Sequence, residues 1–202
     1  MPQRRVVLTF LSLLFAASIA NFEETKQIMK NIILSAFIAL AIAGCKTSKA
    51  DEAKNTVVVK LEPKSGSTVS GTATFLQHDG RVTMNVNLSG LKPGVHAIHI
   101  HEKADCSAAD ASSAGGHWNP TFKKHGKWGE GEYHKGDIGN FTADASGNAK
   151  INMTTEQWCI GCGDQTKDIL GKGLIVHEKA DDFTTQPTGN AGGRQACGGI
   201  IK

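Results

Sequence analysis

Charge of one sign is scarce in this 202-residue chain, where 22 lysines and arginines stand against 19 aspartates and glutamates. Arg4, Arg5, Lys26 and Lys30, with two of the acids, all precede residue 46, and residues 46–202 carry 18 bases against 17 acids. A nucleic-acid partner would call for a basic arm or stripe, and there is none. Long apolar runs are missing too. A membrane-spanning helix needs about 20 apolar residues to cross roughly 30 Å of hydrocarbon, whereas the run Ile32–Ala43 is twelve residues long, Ser35 included. Helical periodicity is absent after residue 55, and no internal repeat is found, which argues against bundles and solenoids.

The first 55 residues read as targeting and tether. Met29-Lys30-Asn31 followed by Ile32–Ala43 has the charged start and short apolar core of an export signal. The run ends in Ile42-Ala43-Gly44-Cys45, similar to the lipobox of bacterial lipoproteins, in which the cysteine thiol receives a lipid. Polar Lys46-Thr47-Ser48-Lys49 follows at once, as a tether would. A second apolar run, Val6–Ala20, lies behind Arg4-Arg5. Two signals in series serve no purpose, so translation is expected to begin at Met29. The expected division is therefore residues 1–45 as signal, 46–55 as tether and 56–202 as one domain, a size suited to a single core. Beyond Cys45 the cysteines are Cys106, Cys159, Cys162 and Cys197. In an exported domain they suggest disulfides, with three pairings open.

From Thr56 onward the pattern is β. Val82, Met84, Val86 and Leu88 alternate with Thr83, Asn85 and Asn87, the period of a half-buried strand. Asp79-Gly80 marks a tight turn between that strand and Thr72–Gln77. Val95–Ile100, Ile138–Thr142, Ala149–Met153 and Leu174–Val176 are further short runs, and Ser146-Gly147-Asn148 marks another hairpin. The expected fold is all-β, an antiparallel sandwich or barrel. Two stretches, 102–135 and 181–193, break the pattern, and both adjoin histidines. Long loops in a compact domain are usually functional.

His99 and His101 end one strand, and residues i and i+2 share a face, so both imidazoles can meet one ion while Ile100 turns away. His177 ends another apolar strand. His117, His125, His134 and Asp137 follow at spacings of 8, 9 and 3 in the loop. With few apolar residues, that loop cannot order itself by burial. A closed site of three nitrogens and one oxygen would order it, and that donor set suits zinc. An all-imidazole set of His99, His101 and His177 with a fourth nitrogen suits copper. Seven residues serve two four-coordinate ions only if one is shared. His117 lies between the sets, and an imidazole has two ring nitrogens.

His-Ile-His-Glu at 99–102, Gly-Gly-His-Trp-Asn-Pro at 115–120 and His-Lys-Gly-Asp-Ile-Gly-Asn at 134–140 resemble the copper/zinc superoxide dismutase family. So do Val-His-Glu-Lys-Ala-Asp-Asp at 176–182 and Gly-Asn-Ala-Gly-Gly-Arg-Gln-Ala-Cys-Gly at 189–198. The resemblance implies a Greek-key barrel of about eight strands that holds one copper ion and one zinc ion per chain. His99, His101, His117 and His177 would take copper, and His117, His125, His134 and Asp137 zinc. It implies superoxide as substrate, dismuted to dioxygen and hydrogen peroxide by a copper redox cycle in which His117 takes up a proton. Arg194 would dock the anion, Asp181 would link a copper histidine to a zinc histidine, and Cys106 would pair with Cys197. The setting expected from the lipobox is a bacterial cell envelope, on the periplasmic side, with a membrane anchor on Cys45. The bacterial and animal branches of the family assemble differently, so a monomer and a homodimer both stay open.

The sequence departs from the animal branch in places. Cys106 follows His101 by five residues, as in the bacterial branch, and the 181–193 loop lacks the usual guiding Glu and Lys. Lys103, Lys123, Lys124 and Lys179 are the remaining candidates for substrate steering. Cys159-Ile160-Gly161-Cys162 is uncommon in the family and reads first as a local disulfide, then as free thiols or an accessory metal site. A thioredoxin-like redox motif needs a βαβ setting that is not visible. His78 and His96 match no motif and read as ordinary. The rival function is a non-enzymatic copper-binding or copper-delivery protein on the same fold.

Overall fold

A computed structural model describes residues 55–202, and Lys30 alone before them. The expected signal, the lipidation site Cys45 and all of the tether but Asn55 lie outside the described residues. Eight strands follow one another: β1 Thr56–Pro63, β2 Ser70–His78, β3 Arg81–Ser89, β4 Gly94–His101, β5 Gly139–Ala143, β6 Ala149–Thr155, β7 Gly173–His177 and β8 Arg194–Gly199. A single 3-10 turn, Ser112–Ala114, interrupts the long loop after β4. The strands form one antiparallel sheet in the order β5-β4-β7-β8-β1-β2-β3-β6. The sheet curls into a nearly closed Greek-key barrel, as expected.

Local sequence explains most of it. In β3, Val82, Met84, Val86 and Leu88 are buried while the residues between them face outward. Asp79 and Gly80 both take positive φ, 47° and 73°, the two-residue turn whose twist suits a hairpin. His78 therefore pairs with Arg81 and fixes the β2–β3 register. The turn at 144–148 also forms, closed by Asp144 N–H to Asn148 O at 2.8 Å. Its strands do not pair with each other, however. β5 pairs with β4 and β6 with β3, so this turn joins the two edge strands of the sheet rather than making a hairpin. Val57, Val59, Leu61, Phe75, Ile98, Ile100, Leu174 and Val176 fill the interior with the β3 side chains.

β4 is buried on both faces from His96 to His101. Ile98 and Ile100 face the core, and the loop between β4 and β5 folds back over the other face. Main-chain bonds seat it: Trp118 N–H on Ile100 O and Ile100 N–H on Gly136 O, each 2.9 Å, and Gly136 N–H on Trp118 O at 3.0 Å. Gly136 allows this approach, because a Cβ there would collide with the Ile100 carbonyl.

Candidate metal centre

The barrel wall brings distant histidines to one place. His99 and His101 end β4, His177 ends β7, and β4 pairs with β7 so that His99 lies opposite Ile175. His117 enters from the covering loop through a bridge to His101. One donor atom from each of His99, His101, His117 and His177 lies within 4.8 Å of the others, and the same holds for His117, His125, His134 and Asp137. His117 belongs to both groups. All seven residues are buried. His78 stands outside, exposed beside Asp79.

Each outer ring nitrogen has a partner that fixes the ring. His99 Nε2–H donates to Asp181 Oδ2 at 2.8 Å, and His125 Nε2–H to Asp181 Oδ1 at 2.9 Å. His101 Nδ1–H donates to Gly115 O at 2.9 Å, and His134 Nε2–H to Lys123 O at 3.0 Å. The inner nitrogens are different. His99 Nδ1, His117 Nε2, His125 Nδ1 and His134 Nδ1 are buried with no hydrogen-bond partner. His125 Nδ1 and His134 Nδ1 lie only 3.0 and 3.2 Å from Asp137 oxygens, yet they are not aimed at them. His101 Nε2 and His177 Nε2 face each other at 3.3 Å. A buried polar atom left unpaired costs about 1–3 kcal/mol. Lone pairs orphaned together around two points are what two cations would satisfy, so these residues fit a copper and a zinc ion.

For the first donor group the electrostatics agree. Burial pushes His99, His101 and His177 down, keeping them neutral and able to donate lone pairs. Burial also takes His117 down to about 4, against the pull of its Asp137 bond. Burial opposes the charge on His125 as well, but there the carboxylates of Asp137 and Asp181 close beside the ring outweigh it and raise the value to about 9. Asp137 and Asp181 are buried, which disfavours ionisation; hydrogen bonds from the histidines prevail and hold both well below the usual carboxylate range.

Arg194 opens β8 opposite His177, across an irregularity in the β7–β8 register. Its Nη1–H and Nη2–H donate to Ala111 O and Gly115 O, each at 2.7 Å, so the guanidinium is fixed and half-buried. Gly115 O also receives His101 Nδ1–H, which ties the cation to the first donor group. Cys106 and Cys197 form a disulfide with Cα atoms 5.8 Å apart, closing 91 residues and fastening the loop to β8. Cys159 and Cys162 form a second, local disulfide. Lys103, Lys123, Lys124 and Lys179 are all exposed.

Three side-chain amides escaped the sequence reading. Asn140 accepts Asp181 N–H at 2.7 Å and donates to Asp181 O at 2.9 Å. Gln186 holds His125 in the same way at 2.8 and 3.0 Å, and Asn119 holds Lys123 at 3.1 and 2.8 Å. Asn119 and Asn140 sit inside the recognised motifs, which was the available signal; Gln186 had none. His96 also does more than fill space. Its ring nitrogens contact Lys92 O at 2.8 Å and the carbonyl of His177 at 3.0 Å.

A family model described as copper/zinc superoxide dismutase (SODC) matches residues 69–200. A solved structure titled as a crystal structure analysis of the clock protein EA4 is 36% identical, with a TM-score of 0.63, covering 73% of this chain and 95% of that one. The chain belongs to the copper/zinc superoxide dismutase family.

Proposed function

We propose that this protein dismutes superoxide to dioxygen and hydrogen peroxide. One copper would be held by His99, His101, His117 and His177, and one zinc by His117, His125, His134 and Asp137. The observation that carries the reading is the pair of buried donor groups meeting at His117, with inner lone pairs that nothing in the protein satisfies. When bound, copper supplies the one-electron exchange with the substrate, while zinc does no redox chemistry and fixes the loop.

The chain's own groups do the rest. Arg194 attracts the anion and orients it with a guanidinium that its two carbonyl partners keep from swinging away. His117 turns Nδ1 toward Asp137 at 2.8 Å and leaves Nε2 free of protein partners. Nε2 is thus the atom that can hold a proton between the two half-reactions and release it toward peroxide. Asp181 keeps the hydrogens of His99 and His125 on Nε2, so that their Nδ1 atoms remain donors.

On this reading residues 1–45 are an export signal, 46–55 a tether, and Cys45 carries a lipid that anchors the enzyme on the periplasmic side of a bacterial envelope. Cys45→Ser should then move the full chain from the membrane to the soluble fraction. A second reading is a non-enzymatic copper-binding or copper-delivery protein on the same fold, and the 36% identical structure is titled for a clock protein rather than for an enzyme. Superoxide consumption by the metal-loaded full chain separates the two. Turnover that disappears on metal removal and returns on reloading supports the enzyme; full copper content without turnover supports the rival.

A further inference from the structure

The loop between β6 and β7 carries a second cluster, away from the histidines. One donor atom from each of Cys159, Cys162 and Asp168 lies within 4.8 Å of the others. The two sulfurs are joined to each other. Hydrogen bonds hold the loop as well. Cys159 N–H donates to Lys167 O at 2.8 Å, and Ile169 N–H returns to Cys159 O at 3.1 Å. The Asp168 carboxylate accepts N–H groups from Gly161, Gly163 and Leu170 at 2.9, 3.0 and 3.1 Å. Trp158 and Ile169, both buried, anchor the two sides in the core. Cys162 is exposed while Cys159 is buried, so an external reductant can reach one sulfur. An open cleft of about 630 Å³, lined in part by Gly163, Thr166 and Asp168, borders the same loop.

We infer that reduction of Cys159–Cys162 uncovers a third metal site in this chain, which takes one divalent ion of the zinc type on two thiolates and the Asp168 carboxylate. Two cysteines separated by two residues form a spacing that chelates a tetrahedral ion. Thiolates alone would favour a soft monovalent ion such as Cu(I). A hard carboxylate beside them shifts the preference to zinc, with water completing the tetrahedron. The backbone N–H groups keep Asp168 ionised despite partial burial, and its negative charge opposes thiolate formation until a divalent cation offsets most of the charge of the three groups. The site is therefore closed under oxidising conditions and opens only to a reductant. With a phosphine, phosphorus attacks one sulfur and the S–S bond breaks. Water then supplies oxygen to the phosphine oxide, and its two hydrogens end on Cys159 and Cys162. Both protons leave when the ion binds. In a cell a dithiol would supply the same two electrons and two protons.

Cobalt(II) is the probe, because sulfur-to-cobalt charge transfer in the near ultraviolet reports thiolate ligation and is silent for the histidine centre. The full chain is treated with a phosphine, alkylation mapping establishes which cysteines have opened, and cobalt is added to an unalkylated portion. The expected result is charge-transfer absorption with the intensity of one thiolate-bound cobalt per chain, reversed by zinc. It should be absent from the oxidised protein and from Cys159→Ser/Cys162→Ser, whose histidine-centre cobalt bands stay unchanged. Asp168→Asn should weaken cobalt binding about 10-fold. Free Cys159 and Cys162 thiols without charge transfer would overturn the inference. So would a pair that opens only after Cys106–Cys197 has opened.

Discussion

Replacing Asp181 with asparagine should weaken copper binding more than zinc binding, although Asp181 touches both donor groups. Its Oδ2 accepts only His99 Nε2–H, at 2.8 Å. Its Oδ1 accepts His125 Nε2–H at 2.9 Å and Phe183 N–H at 2.7 Å. An amide has one oxygen and one NH₂ group. Two N–H donors converge on the Oδ1 position, so the amide oxygen settles there and the NH₂ confronts His99 Nε2–H. His99 must then move its hydrogen to Nδ1, removing the lone pair that it offers to the group containing His101, His117 and His177. A hydrogen bond to a charged group is worth about 1.5–3 kcal/mol. A partner of this kind typically changes metal affinity about 10- to 100-fold, which is about 1.4–2.8 kcal/mol. Copper affinity should fall within that range and zinc affinity by less than about 10-fold. Competition against chelators of known affinity reads each metal separately, and no activity assay is needed. Wild-type copper affinity with zinc lost would refute the amide orientation and the tautomer argument built on it.

Other expectations rest on the same geometry. Arg194→Glu should leave both metals bound and cut dismutation at least about 10-fold, with Arg194→Lys milder because it keeps the charge but loses the planar fork. Wild-type turnover should also decline as salt is added, and unchanged turnover of Arg194→Glu at low ionic strength would show that the anion docks elsewhere. Gln186→Met, which removes both bonds to the His125 main chain, should speed zinc release measured with a chelator, whereas Gln186→Glu restores only the acceptor and should recover part of the loss. Without metals, four histidines have lowered folded values, so the unfolded chain binds more protons below their usual value of about 6.5. Stability of the metal-free protein to denaturant should fall as pH drops from about 6.5 through 4. The raised His125 acts oppositely, since its contribution is complete below about 6.5 and is lost as pH rises through 9. A flat profile between pH 6.5 and 4 would contradict the burial of four neutral rings.

What could be read in the sequence was whatever local chemistry enforces. Val82 to Leu88 had to show period two because one face of β3 meets the core, and Asp79-Gly80 had to be a turn because both residues sit at positive φ. His117, His125, His134 and Asp137 stood out because nothing apolar competes with them in the loop. β8 did not stand out from pattern alone. Arg-Gln-Ala-Cys-Gly-Gly has no alternation, and its place comes from pairing with β7 and the last residues of β1. The turn at 144–148 was legible, but its strands' partners were not, because partner choice is a long-range property of barrel closure. The grip of Gln186 on His125 spans 61 residues and rests on one side-chain amide, which leaves no periodic or spacing signal.

The metal content and superoxide turnover of His117→Ala test the central claim most directly, since that imidazole is the only residue common to both donor groups. The wild type should hold one copper and one zinc per chain and consume superoxide. His117→Ala should lose full occupancy of both metals along with turnover, whereas His125→Ala should chiefly lose zinc. Full copper and zinc content in His117→Ala would contradict the shared-ligand centre.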